Sequence, residues 1–278
     1  MDSARPRVRL PFSGWHLLLA PLSVGFALPL LWLLASSFMS NAEINRFPPS
    51  LFPHGLHLGG YEYVLRNALF PRWFANTAIV AVVAVLANLV FGSLAGYAFA
   101  RIRFLGSRVL LTVMLATMVI PFQITMIPTF LLMSKLGLTD TLGALIVPSL
   151  VTPFAVFLLR QFFVRLPREL EEAARIDGAT RLRTLVSVIL PLARPALATV
   201  AALTFLTTWN DLTWPLIAIT SDHNYTLQLG LATFQGQHRT EWPAVMAGNV
   251  LTILPVLVAF LAAQRTFVQS LTSTAVKG

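Results

Sequence analysis

The residues best placed to do something specific lie between the fourth and fifth apolar stretches, in Leu166-Pro167-Arg168-Glu169-Leu170-Glu171-Glu172-Ala173-Ala174-Arg175-Ile176-Asp177-Gly178. Glu169, Glu171 and Glu172 fit the positive end of a short helix dipole, Pro167 fits its first position, and Gly178 can take the left-handed conformation that ends it. A second apolar stretch, 182–190, runs into Pro191 and predicts a second short helix, so that the two form a protruding knob. Glu172-Ala173-Ala174, Gly178, Val188 and Leu190-Pro191 stand at fixed intervals. Seven such positions arise by chance on the order of once in ten thousand chains of this size or less. Two alanines and a glycine turn let a partner surface approach closely, while the flanking arginines and glutamates offer charge pairs that set register. The role this predicts is mechanical.

Catalytic chemistry finds little footing. The chain lacks cysteine, and its spans hold neither a His-Glu-x-x-His run nor paired carboxylates, which argues against an intramembrane enzyme. The only lysines, Lys135 and Lys277, do not follow a glycine, so no phosphate-binding loop is present and ATP must be hydrolysed elsewhere. Single loop histidines such as His223 and His238 are not read as metal ligands. Within the spans, Asp211 beside Trp209 and Asn210 marks either a substrate path or the cap of a broken helix before Pro215. Asn88, Gln123, Thr125 and Asn249 are further candidates for the path, against the alternative of hydrogen bonding between helices. Trp209 or Trp214 could stack on a sugar ring.

These residues are positioned by long apolar segments. Of 278 residues 56% are hydrophobic and 11% charged, too little polar surface for a water-soluble globule. A helix needs about 20 apolar residues to cross a bilayer, and six stretches qualify: 15–38, 74–100, 109–133, 142–163, 195–219 and 244–263. The first is longer than a signal-peptide core and is read as retained. The segments are continuously apolar, which excludes a barrel. With the N-terminus inside, only Arg46, Arg66, Arg72, Lys135 and Arg239 of the twenty basic residues fall outside, the bias expected of cytoplasmic segments. Both termini are therefore expected in the cytoplasm, and the +9 charge reflects topology, not nucleic-acid binding. Gly92 and Gly96 predict a close-packing helix face.

The seven-position pattern, complete and placed before the penultimate span, resembles the EAA motif of the membrane subunits of ABC importers. Ile176-Asp177-Gly178-Ala179-Thr180, Trp209-Asn210-Asp211, Phe234-Gln235-Gly236-Gln237 with Glu241-Trp242, and the tail from Phe267 are similar to carbohydrate-importer permeases of the maltose-permease type, the smaller subunit with a C-terminal tail. The resemblance covers most of the chain from about Pro71 onward. It implies an all-α membrane protein with the type I importer permease fold: an N-terminal segment over residues 1–70, a five-helix core 71–264 with its coupling loop 160–194, and a tail 265–278 that reaches the ATPase. It also implies a multi-pass inner-membrane permease for a sugar or oligosaccharide. In this reading Glu172, Ala173, Ala174, Asp177, Gly178, Leu190 and Pro191 couple to a dimeric ABC ATPase, which carries the ATP and Mg. The remaining partners are a second, homologous permease subunit and an extracytoplasmic substrate-binding protein, met through Asp222, His223, Gln237, His238 and Arg239. Polyol and glycerol-phosphate permeases share these features. An ion-coupled secondary transporter would need more ionisable residues at mid-membrane than Asp211 supplies.

Overall fold

The computed structural model describes residues 15–48, 50–66, 69–235 and 240–275, with side chains described through residue 261. Among these the chain is mostly helical and holds no strand beyond a single bridge between Gln235 and Thr240. The helices are α1 (Trp15–Ser36), α2 (Asn41–Ile44), α3 (Gly59–Arg66), α4 (Phe70–Arg101), α5 (Ser107–Thr117), α6 (Phe122–Lys135), α7 (Leu142–Ser149), α8 (Pro153–Arg165), α9 (Glu169–Ile176), α10 (Arg181–Thr184), α11 (Leu190–Leu192), α12 (Arg194–Trp209), α13 (Thr213–Ala218), α14 (Leu227–Ala232) and α15 (Trp242–Ala275). A π-helical turn, Leu185–Ile189, joins α10 to α11.

Among the described residues, four segments are long and apolar enough to span a bilayer: α1, α4, Leu142–Arg165 and Trp242–Leu261. Two bent pairs raise the number to six if each is one span, α5 with α6 at 104° and Arg181–Leu192 with α12 at 82°. The third expected span, 109–133, is thus not one straight helix. Pro121 lacks an N–H and disfavours helical backbone at the residue before it. The backbone responds by tightening, with Met118, Val119 and Ile120 donating to Leu115, Ala116 and Thr117 at 3.1, 3.1 and 3.2 Å. The fifth expected span is likewise interrupted, between Trp209 and Thr213.

The chain folds as two compact units, Met1–Asn67 with Phe234–Leu251, and Ala68–Thr233 with Thr252–Gly278. In the first, the Ser37 and Tyr61 hydroxyls lie 2.8 Å apart and the Phe38 and Tyr61 rings are 5.4 Å apart. Ser40 and Glu43 form a reciprocal cap on α2. Glycine is required at position 60, because a Cβ there would stand 2.3 Å from the Pro243 carbonyl oxygen.

The second unit is built on α4 and α8. A Cβ on Gly92 would meet Ala155 at 3.3 Å and one on Gly96 the Arg160 nitrogen at 3.1 Å, so the expected close-packing face exists and lies against α8. In lipid such contacts rest on van der Waals fit and not on expulsion of water, which is why small residues line them. Tyr97, Leu159, Phe163, Leu185, Ile189 and Val200 form one buried cluster, and Val80, Met133, Leu145, Trp214 and Leu229 another.

A candidate coupling segment and translocation cavity

The knob expected between the fourth and fifth spans is α9, a turn at Gly178, and then α10 with the π turn and α11. Pro167 stands one residue ahead of Arg168, the N-cap of α9, not at the first helical position. Glu171 and Ala174 face inward and are buried, while Glu172, Ala173, Ile176 and Asp177 are exposed. Gly178 adopts φ +78° with open space around it, and its N–H donates to the Arg175 carbonyl at 2.9 Å. Leu190 is half-buried and Pro191 exposed. The expected second helix, 182–190, is instead a short helix followed by the π turn, in which the Leu190 N–H bonds Leu185 five residues back. Proline explains this: Pro191 would clash with the carbonyl four residues before it in a regular α-helix, and the wider turn relieves that clash.

The knob carries an apolar tip that motif reading did not single out. Ile176 is 87% exposed, and Leu182 and Val186 are exposed on the element that follows. The pairing of Arg101 with Glu171 was also missed. Arg101 Nε lies 2.9 Å from Glu171 Oε1, both side chains being nearly buried. No local signal pairs the end of one span with a residue in a later loop.

The candidate path residues do not form one group. Asn88 is fully buried: its Nδ2 donates to Ala84 O at 2.9 Å and Ser149 O at 2.7 Å, and its Oδ1 accepts from the Thr152 N–H and hydroxyl. It therefore satisfies the backbone groups freed where α7 breaks from α8. Trp209 is 2% exposed, stacked on Phe205 with its indole N–H on the Thr252 carbonyl at 3.1 Å. Gln123 is exposed, Thr125 bonds Phe122 O in its own helix, and Asn210 bonds Leu206 O. Asn249, in the other compact unit, bonds Val245 O in its own helix. Asp211 differs from these. Its Oδ1 accepts from the N–H groups of Thr213 and Trp214 at 3.0 and 3.4 Å, capping α13, and the residue lines a cavity of about 620 Å³. Thr152, Thr204, Thr208 and Thr226 share that wall with Phe122 and Trp214. The Thr226 hydroxyl is buried without a hydrogen-bond partner.

At the far end of α4, the segment 220–227 is held by its main chain. Arg72 Nε and Asn76 Nδ2 donate to His223 O at 2.9 Å, Trp73 Nε1 donates to Asp222 O at 2.8 Å, and the Leu227 N–H donates to Thr77 Oγ1 at 2.7 Å. The side chains of Asp222 and His223 are left exposed. Gln237, His238 and Arg239 lie outside the described residues.

Asp140, in the turn after α6, is a second latch on this segment that sequence reading missed. Its carboxylate accepts from the Ser221 hydroxyl and from the N–H groups of Ser221 and Thr220 at 2.8 and 2.9 Å. The Ser221 hydroxyl above all, with these N–H groups, holds its pKa at about 2 instead of 3.8. A depressed folded pKa means that the latch is at full strength above about pH 4 and is lost as pH falls toward about 2. Asp140→Asn keeps a side chain that tolerates φ 59° but cannot accept on both oxygens. In detergent, the variant is expected to melt lower than wild type at about pH 7, with the gap closing between about pH 4 and pH 2. A gap that is constant with pH would remove the latch.

The comparisons with known proteins agree with this architecture. A family model described as binding-protein-dependent transport system inner membrane component matches residues 88–273. The arabinooligosaccharides transport system permease protein AraQ of Halalkalibacterium halodurans is 39% identical, covering 92% of this chain and 96% of that protein. The trehalose transport system permease protein SugB of Mycobacterium tuberculosis is 34% identical, covering 92% and 95%. In a crystal structure of a bacterial ABC transporter involved in the import of the acidic polysaccharide alginate, one chain superposes with a TM-score of 0.80 at 28% identity, over 92% of this chain and 99% of that one. The fold is that of a type I ABC importer permease, and the chain belongs to the family of binding-protein-dependent transport system inner membrane components.

Proposed function

We propose that this chain is the permease subunit of an ABC importer for a sugar or oligosaccharide. The observation that carries the reading is its likeness, over 92% of its length, to permeases named for arabinooligosaccharides and trehalose. Glu172, Ala173, Asp177 and Gly178, with Leu190 and Pro191, present the knob to an ATPase that binds ATP and Mg, and this chain binds neither. The positive-inside count supports a cytoplasmic placement for the knob and both termini. Residues 1–70 then form the N-terminal segment, 71–264 the core and 265–278 the tail.

A second, homologous permease completes the path, and Asp211 with the cavity beside it is this chain's share. The outward segment carrying Asp222 and His223 meets a substrate-binding protein. The test is to purify the importer with its partners and measure binding-protein-stimulated ATP hydrolysis across a panel of sugars, polyols and glycerol phosphate. Stimulation by a sugar is expected. Stimulation by polyol or glycerol phosphate alone would overturn the cargo, and uptake that persists on an ion gradient without ATP would overturn the importer.

A further inference from the structure

At the end of α4 one arginine gathers three elements. Nη2 of Arg101 donates to the carbonyls of Phe163 at 2.7 Å and Leu166 at 2.6 Å, which belong to the last turn of α8 and the residue that caps it. The Phe163 carbonyl also accepts from the Leu166 N–H at 3.2 Å, and both carbonyls lie at the negative end of the helix dipole, so a cation suits them. The Nε of the same side chain lies 2.9 Å from Oε1 of Glu171, in the first turn of α9, with the two side chains 5% and 11% exposed. Neither of these two atoms is aligned for a hydrogen bond, so the contact is charge against charge. Two charges removed from water are costly to separate, because each would then stand buried and uncompensated. Lysine could not replace the arginine, since only a planar fork reaches both carbonyls and the carboxylate at once. Glu171 lies on the buried side of α9, away from the exposed Glu172, Ala173 and Ile176.

We propose that Arg101 and Glu171 form a strut that makes α9 move as one body with α4 and α8. A displacement applied to the exposed face of α9 then reaches both spans without the helix first pivoting on its loops. The proposal rests on the coupling reading above. Both are positioning residues, and neither belongs to the seven-position pattern that carries that reading.

The test uses the complete importer in proteoliposomes with Glu171→Gln, which keeps shape and hydrogen-bonding capacity but loses charge, and with Arg101→Lys. Spin labels on Leu105→Cys and Glu169→Cys report the attachment of α9, and within this chain they are specific because it has no cysteine. Assembly at wild-type yield is expected, with ATP hydrolysis retained, cargo moved per ATP lowered about tenfold, and a broadened distance distribution between the labels. Wild-type transport per ATP, or an unchanged distribution in both variants, would overturn the strut. So would loss of assembly in both, which makes the pair a folding element only. A failure of the coupling reading is distinguishable, since Gly178→Pro would then leave uptake intact whatever Glu171→Gln does.

Discussion

Replacing Gly178 by proline is expected to leave membrane insertion and abundance at wild-type levels and to abolish coupled uptake. The backbone at this position has φ +78°, which proline, locked near −65°, cannot adopt. The substitution also removes the N–H that closes the turn on the Arg175 carbonyl at 2.9 Å. Apart from its chain neighbours, no atom lies within 4 Å of a Cβ built here, so the effect comes from backbone direction and the lost hydrogen bond and not from crowding. That predicts an order: Gly178→Asn mild, since asparagine tolerates the left-handed region, Gly178→Ala costing about 1 kcal/mol of turn stability, and Gly178→Pro complete. The direction in which α10 leaves the turn decides whether the exposed face of α9 and the apolar tip of Ile176, Leu182 and Val186 address one partner surface. Transport assays in proteoliposomes, beside quantification of the membrane-inserted chain, read both quantities. Uptake at the wild-type rate in the proline variant would end the coupling assignment.

Gly230→Ala is expected to produce the largest loss of stability of any single methyl group added to the second unit. A Cβ at this position would stand 2.0 Å from Cε3 and 2.2 Å from Cδ2 of Trp73, far inside van der Waals contact. The indole cannot swing aside easily: it is 5% exposed, and its N–H is engaged on the Asp222 carbonyl at 2.8 Å. Relief must therefore come from displacing α14 or from breaking the tie that holds segment 220–227. Overpacking of this kind costs about 3 kcal/mol, seen as a lower melting temperature in detergent and lower abundance in the membrane. Because the clash is with one ring, Trp73→Leu should recover some of the loss in the double variant, a coupling that a double-mutant cycle measures. Additive losses would place the cause elsewhere than the ring.

What could be read in advance depended on how far apart the cooperating residues stand along the chain. The Gly178 turn and the Gly92 and Gly96 face were legible because backbone preference and helical spacing act within a few residues. The breaks at Pro121 and Asp211 were half legible: proline and a carboxylate within an apolar stretch announce an interruption, but the 104° between α5 and α6 depends on three successive tight turns that no residue type dictates. The latch of Asp140 on Ser221 joins positions 81 residues apart, and the contact of Gly230 with Trp73 and the pair of Arg101 with Glu171 also join residues far apart in sequence. Asn88 shows the limit from the other side. A polar residue within a span looks alike whether it faces a cargo or closes a helix break, and only its partners, Ser149 and Thr152, distinguish the two.

Arg101 carries a consequence for biogenesis. Under the proposed topology, α9 has not yet been made while α4 is being threaded into the bilayer, and the arginine at the end of α4 is then a free cation of the kind that biases its flank to the cytoplasmic side. Once Glu171 arrives, the same charge is withdrawn into the fold, shielded by a carboxylate and two helix-end carbonyls. One residue thus acts first as a signpost for the insertion machinery and afterwards as a fastening. A neutral substitution there disturbs both stages, whereas a change at Glu171 touches only the second.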